Sequence, residues 1–250
     1  MAVSAATIST MDENVKPHED EQHATNTGQK LNWLRAGVLG ANDGIVSTAG
    51  VVIGVAGATP HNVAAIATAG IAALVAGAFS MAGGEYVSVS TQRDTEKALI
   101  AKEKWELENM PEEEREELAD LYRQRGLSEH LAHQVAEELM AKDALAAHAE
   151  IELGIDPDHY TSPWAAAASS FVSFTVGALI PLIMILLPVG EHRIWIAAAA
   201  VVLGLFLTGL ISATLGGAPR GRAIIRNVLM GSATMVATYL IGLAFGTAVL

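Results

Sequence analysis

A dense run of carboxylates, from Asp94 to Asp158, lies between stretches that are apolar and rich in Gly and Ala. That contrast restricts the fold more than any other feature of the chain. Long apolar stretches cross a bilayer as helices, because hydrocarbon offers no partner to an unpaired backbone N–H or C=O. A charged insert between them must then sit in water on one membrane face, and one so rich in glutamate gathers cations there.

Composition agrees with a chain divided between lipid and water. The 250 residues are 51% hydrophobic and carry a net charge of −12, with a mean hydropathy of +0.36. High hydropathy beside segregated charge indicates membrane spans plus a water-facing part. The acidic balance argues against nucleic acid, whose phosphates call for Lys and Arg. There is no cysteine, so disulfides, thiolate metal sites and cysteine nucleophiles are excluded. Any metal must be held by oxygen, imidazole or thioether.

The first thirty residues are polar and lack an apolar core behind a basic start, so they do not read as a secretory signal. They are expected to form a disordered tail, 1–30, with His18 and His23 solvated. Five segments then have the roughly 20 apolar residues that a crossing needs: Ala36 to Ala58, Val63 to about Val89, Trp164 to Pro188, Ile194 to Gly217, and Val228 to Leu250. Five is odd, so the termini should face opposite sides.

Lys and Arg at the span ends set the orientation. With the N-terminus in the cytosol, the cytoplasmic flanks hold Lys30, Arg35, Arg93, Lys97, Lys102, Arg220, Arg222 and Arg226, and the far face holds Arg193 alone. The acidic block is therefore expected to be cytoplasmic and the C-terminus to face away. The spans are rich in Gly, Ala and Ser, which lets helix backbones approach closely. Pro181 predicts a kink in the third span.

The second span is expected to continue out of the membrane as one helix to Asn109. Pro111 suits the first turn of a new helix, with Glu112, Glu113 and Glu114 at its positive end and Gly126 as its stop. Ser128 then caps a third helix, Glu129 to about Leu153, closed by Gly154 and Pro157. The resulting organisation is a tail (1–30), two spans (31–92), a three-helix acidic lobe (93–160) and three spans (161–250), an all-α membrane fold.

Within the lobe, Glu103 and Glu106 are three apart, as are Glu114 and Glu117. Each pair shares a helix face and can point at one ion. Glu150 and Glu152 lie near the return to the membrane, and His148 is four residues before Glu152. Carboxylate oxygens suit Mg2+, Ca2+, Mn2+ and Fe2+. The plainer reading is a solvated charged surface, in which Glu113, Arg115 and Lys104 pair within their helices. His130 and His133 read as surface residues.

Two acids fall inside spans. Asp43 lies eight residues after Arg35, and Glu85 eight before Arg93. Both therefore sit about 12 Å from the cytoplasmic basic flank. Met81 is one turn deeper than Glu85 on the same face. An intramembrane acid marks an ion or proton path by default, and two beside a thioether suit a divalent ion softer than Ca2+. The plainer reading of Asp43 is a packing hydrogen bond to Ser47 or Thr48, and that of Met81 is core filling.

The stretches RAGVLGANDGIVSTAGVVIGVAGA, AGAFSMAGGEYVSVSTQRDTE and ELGID…SPWAAAASSFVSFTVGALIPL resemble the vacuolar iron transporter family over about Leu31 to Leu250. That resemblance implies a five-span homodimer moving Fe2+ or Mn2+ out of the cytosol in exchange for protons, with a cytoplasmic metal-binding lobe. It implies Asp43 and Met81 as path residues with Glu85 nearby, and Glu103, Glu106, Glu114, Glu117 and Glu152 as lobe ligands. Glu113 is an alternative to Glu114. Some plant members carry a methionine pair where this chain has His148 and Ala149, and His148 is a possible substitute.

The expected function is a cell-membrane exporter of Fe2+ and/or Mn2+, not an enzyme, with no prosthetic group. Its partners are the ions, protons, the bilayer and a second copy. A membrane-anchored metal sensor or buffer that transports nothing is the alternative. An uncoupled channel is a further one. A di-iron oxidase would need paired Glu-x-x-His motifs on facing helices, which the sequence lacks.

Overall fold

The structure, a computed structural model, describes residues 27–249. Most of the expected tail, with His18 and His23, lies outside them. Seven α-helices follow in order: α1 (Thr27–Ala58), α2 (Val63–Asn109), α3 (Pro111–Gln124), α4 (Glu129–His148), α5 (Pro163–Leu186), α6 (Arg193–Leu215) and α7 (Arg220–Val249). A π-helical turn, Ala149–Leu153, extends α4, and a 3₁₀ turn, Gly190–His192, precedes α6. Among the described residues there is no strand.

Five helices are long and apolar enough to cross a membrane: α1 from Ala36, α2, α5, α6 with its preceding turn, and α7 to Gly246. The two tryptophans at helix starts agree with this. Trp164 and Trp195 are 73% and 74% exposed, at opposite ends of the bundle, where indole rings favour the membrane–water boundary. Two helices begin earlier than apolarity alone implies. α1 starts at Thr27, inside the expected tail, and α7 at Arg220 rather than Val228, because polar residues extend a helix into water at no cost to its backbone bonds. α5 runs through Pro181 as one continuous helix.

α1 is the central helix, packed against α2, α5, α6 and α7. Glycines set its distance from α5. A Cβ at Gly44 would fall on the carbonyl of Phe174, and one at Gly177 on the carbonyl of Ala41. α1 and α5 therefore touch backbone to backbone, as small residues allow in membranes. Around them Ile45, Val52, Ile53, Ile66, Ile185, Val201 and Leu205 form the buried core.

α2 has 47 residues and no break, so it carries the chain from the far turn (59–62), through the bundle, into the lobe. The Asn62 side chain starts it by accepting the amide of Ala65 at 3.0 Å, which satisfies one of the free N–H groups of its first turn. In the lobe, α3 and α4 pack on each other and on the end of α2, around Leu118, Ala119, Ala132 and Ala136. Pro111 occupies the first turn of α3, and Gly126, at φ +101°, follows its end. Ser128 precedes α4, but its side chain makes no capping bond.

Candidate metal centre

Three elements bring the lobe's inward polar groups together. The lobe end of α2 supplies Glu103, the first turn of α3 supplies Glu114, and the end of α4 supplies His148. All three are buried, at 2%, 4% and 0% exposure. The His148 Nδ1 lies 3.0 Å from Glu103 Oε1, 3.6 Å from Glu114 Oε2 and 3.7 Å from Glu152 Oε2. One ligand atom from each of Glu103, Glu114 and His148 falls within 4.8 Å of the others.

Glu103 Oε1 and both ring nitrogens of His148 are buried without a partner. Leaving such groups unpaired costs about 1–3 kcal/mol each, so three at one point are poorly explained by folding alone. A divalent cation among them would satisfy the oxygens and Nδ1 together.

The π-helical turn shapes one wall. It carries Glu152, four residues after His148 and so on the same side of the helix, with Oε2 3.7 Å from His148 Nδ1. Gly154, at φ +64°, ends the turn, and the amide of Ile155 closes it onto the Ala149 carbonyl at 2.9 Å. Arg125, just past α3, donates to the Ile151 carbonyl at 3.0 Å and ties the turn to the rest of the lobe. The expected third helix therefore differs in form. It has non-helical angles at Asp143 and leaves α-geometry after His148.

The electrostatics fit the burial. Glu103 is pushed up to about 7, first by burial and then by Glu152, Glu114 and Glu106. Glu114 is raised by burial and by Glu117, Glu106 and Glu152, with Lys102 opposing. His148 is lowered because burial disfavours the imidazolium, although Glu152 and Glu117 pull the other way. Burial and mutual repulsion therefore let Glu103 hold its proton up to about pH 7, beside an imidazole that burial keeps neutral.

The other sequence candidates are distributed around this point. Glu152 stands at the rim, its side chain 27% exposed. Glu106 is half-buried and held by Lys102 at 2.6 Å. Glu117 is exposed, yet near enough to act on Glu114 and His148. Glu113 and Glu150 are exposed, so Glu114 is the inward member of its run. Intrahelical pairing does occur, between Arg115 and Glu112 and, at 4.0 Å, between Lys104 and Glu108.

Within the spans, Asp43 and Glu85 are half-buried and join no cluster of three His, Asp or Glu groups among the described residues. Ser47 does bond to Asp43, but to its backbone carbonyl at 2.6 Å, which leaves the carboxylate outside that contact. Thr48 is fully buried and its hydroxyl has no partner. Met81 packs beside Ala78 and Phe174.

Sequence reasoning missed Arg125 and the π-turn. Nothing in AHAEIELG distinguishes a π-turn from an ordinary helix end, and Arg125 reads as one more surface charge.

Comparisons with known proteins cover the same ground. The VIT family model matches residues 34–243. A protein named vacuolar iron transporter from Acanthamoeba castellanii is 42% identical over 225 residues, spanning 90% of this chain and 82% of its own. Vacuolar iron transporter homolog 3 of Arabidopsis thaliana is 35% identical over 90% of both chains. Vacuolar iron transporter homolog 1 of Oryza sativa subsp. japonica is 37% identical over 87% of this chain and 75% of its own.

Proposed function

The chain belongs to the VIT family, and from that premise we propose that it moves Fe2+ and/or Mn2+ out of the cytosol in exchange for protons. It does so as a homodimer in the cell membrane, with its N-terminus and lobe in the cytosol and its C-terminus on the other side. The observation that carries the lobe's part is the buried cluster of Glu103, Glu114 and His148, in which Glu103 Oε1 and both His148 nitrogens lack a partner. Its Glu103 is on a helix long and apolar enough to continue into a membrane span.

In this reading Glu103, Glu114 and His148 capture the ion, Glu152 closes the rim, and Glu106 and Glu117 add negative charge around it. Capture expels the proton that Glu103 holds, because metal and proton compete for the same oxygen. Asp43, with Met81 and Glu85, carries the ion through the membrane, where an uncompensated carboxylate is costly unless it is doing ion or proton work. A Cβ added at Gly83 or Gly84 would meet nothing within 4 Å among the described residues, which leaves room there for the helix of a second copy.

The test is transport in proteoliposomes, with Fe2+ or Mn2+ added on the lobe side and an internal pH indicator. Metal entry should be accompanied by proton exit. Asp43→Asn should abolish both and leave metal binding at the lobe intact. A wild-type protein that binds metal and moves none is the sensor or buffer instead, and full metal-dependent proton flux in Asp43→Asn would remove Asp43 from the path.

A further inference from the structure

We propose that His148 sets the metal preference of the lobe, favouring Fe2+, Co2+, Ni2+ and Zn2+ over Mn2+, Mg2+ and Ca2+. This rests on the reading of the lobe as an ion-capture site and deepens it.

Its Nδ1 faces three carboxylate oxygens, from Glu103, Glu114 and Glu152, at 3.0–3.7 Å. An ion entering among those oxygens meets that nitrogen as the one non-oxygen donor of the Glu103, Glu114 and His148 group. The imidazole is fully buried, so it cannot swing out and let water take its place. The remaining donors are carboxylates, which hold hard ions such as Mn2+, Mg2+ and Ca2+ about as readily as borderline ones. Nitrogen changes the order: imidazole suits Fe2+, Ni2+ and Zn2+, whereas Mn2+, Mg2+ and Ca2+ favour oxygen and water. Discrimination within this site therefore falls on one residue.

A second observation bears on how tightly the ion is held. When Nδ1 faces the ion, Nε2 carries the hydrogen, and Nε2 is buried with no acceptor. Metal-binding histidines usually give that hydrogen to a carboxylate or carbonyl, which raises the basicity of the ligating nitrogen. Here the support is missing. The imidazole selects without binding at full strength, as suits an ion that must move on into the membrane.

The experiment uses the full-length protein in detergent, with anaerobic Fe2+, Mn2+ and Ca2+ titrated separately against wild type, His148→Gln and Glu103→Gln. Gln offers an oxygen of similar reach and no imidazole. Wild type should prefer Fe2+ to Mn2+ by a ratio that falls roughly tenfold in His148→Gln, mostly through weaker Fe2+ binding. An unchanged ratio overturns the proposal. If wild type binds none of the ions and Glu103→Gln behaves identically, the capture-site reading has failed instead. Should His148→Gln not fold, Co2+-loaded wild type decides. A direct imidazole ligand gives one hyperfine-shifted N–H resonance that exchanges slowly with solvent, because Nε2 is buried. Absence of that line overturns the proposal as well.

Discussion

The Nδ1 atom of His148 lies 3.0 Å from Oε1 of Glu103, and neither atom has a hydrogen-bond partner. The two residues come from helices joined only through α3 and two turns, so the approach is made by tertiary packing. Burial disfavours charge on both, which gives the pair opposite requirements with and without an ion.

Removing the charge of Glu103 should therefore separate stability from binding. At about pH 8, where Glu103 has lost its proton, Glu103→Gln removes the repulsion from Glu152, Glu114 and Glu106 along with the cost of a buried carboxylate. The metal-free protein should melt a few degrees higher, corresponding to roughly 1 kcal/mol. Metal affinity at the lobe should fall by about tenfold or more, because a ligand oxygen has been lost. Thermal melts with and without Fe2+ would check both signs.

The same residue predicts a pH dependence. Glu103 moves from 4.5 to about 7 on folding, so between those values the native state holds a proton that the unfolded chain has lost. Its contribution to stability is complete below the unfolded value and disappears as pH rises through about 7. The metal-free lobe should loosen over that range, whereas metal affinity should increase because no proton need be displaced. Melting and titration from about pH 5.5 to about pH 8 should give opposite slopes.

Arg125→Ala removes the bond to the Ile151 carbonyl without touching any proposed ligand. The π-turn then loses its tie to α3, and Glu152 is held less firmly over the cluster. Affinity should fall by about tenfold, as for other groups that orient a ligand from behind, while the metal-free melting temperature changes little. Arg125→Lys should recover part of the affinity by restoring one donor.

In the bundle, Gly44→Ala and Gly177→Ala should each cost about 1–3 kcal/mol, because the added methyl meets a carbonyl that cannot retreat. Gly84→Ala should instead stabilise a single chain by roughly 0.5–1 kcal/mol, since the added Cβ meets nothing within 4 Å and a helix interior loses a glycine. Melting temperatures in detergent would rank the three.

Much of the architecture was legible because its signals are local. A crossing announces itself in about 20 apolar residues, and Pro111, Gly126 and Gly154 act as stops through their own backbone geometry. In the lobe the sequence offered several glutamates but not which of them converge. Which of Glu112, Glu113 and Glu114 turns inward depends on the phase at which α3 docks on α2 and α4, and no spacing rule reports that. His148 read as a secondary candidate because its importance comes from two glutamates on other helices. Asp43 illustrates the converse: its neighbour Ser47 was found, but the bond goes to the carbonyl and not to the acid.

The unbroken run of α2 gives the molecule a lever. Met81 and Glu103 are on one rigid rod, 22 residues apart, a length of about 33 Å at 1.5 Å per residue. A tilt of only about 5° about the inner point displaces the outer one by about 3 Å over that length, comparable to the whole separation between His148 and Glu103. An ion that drew the lobe closed would therefore either pull on the span or be resisted by it, and a small change of angle in the membrane would open or close the grip at the lobe.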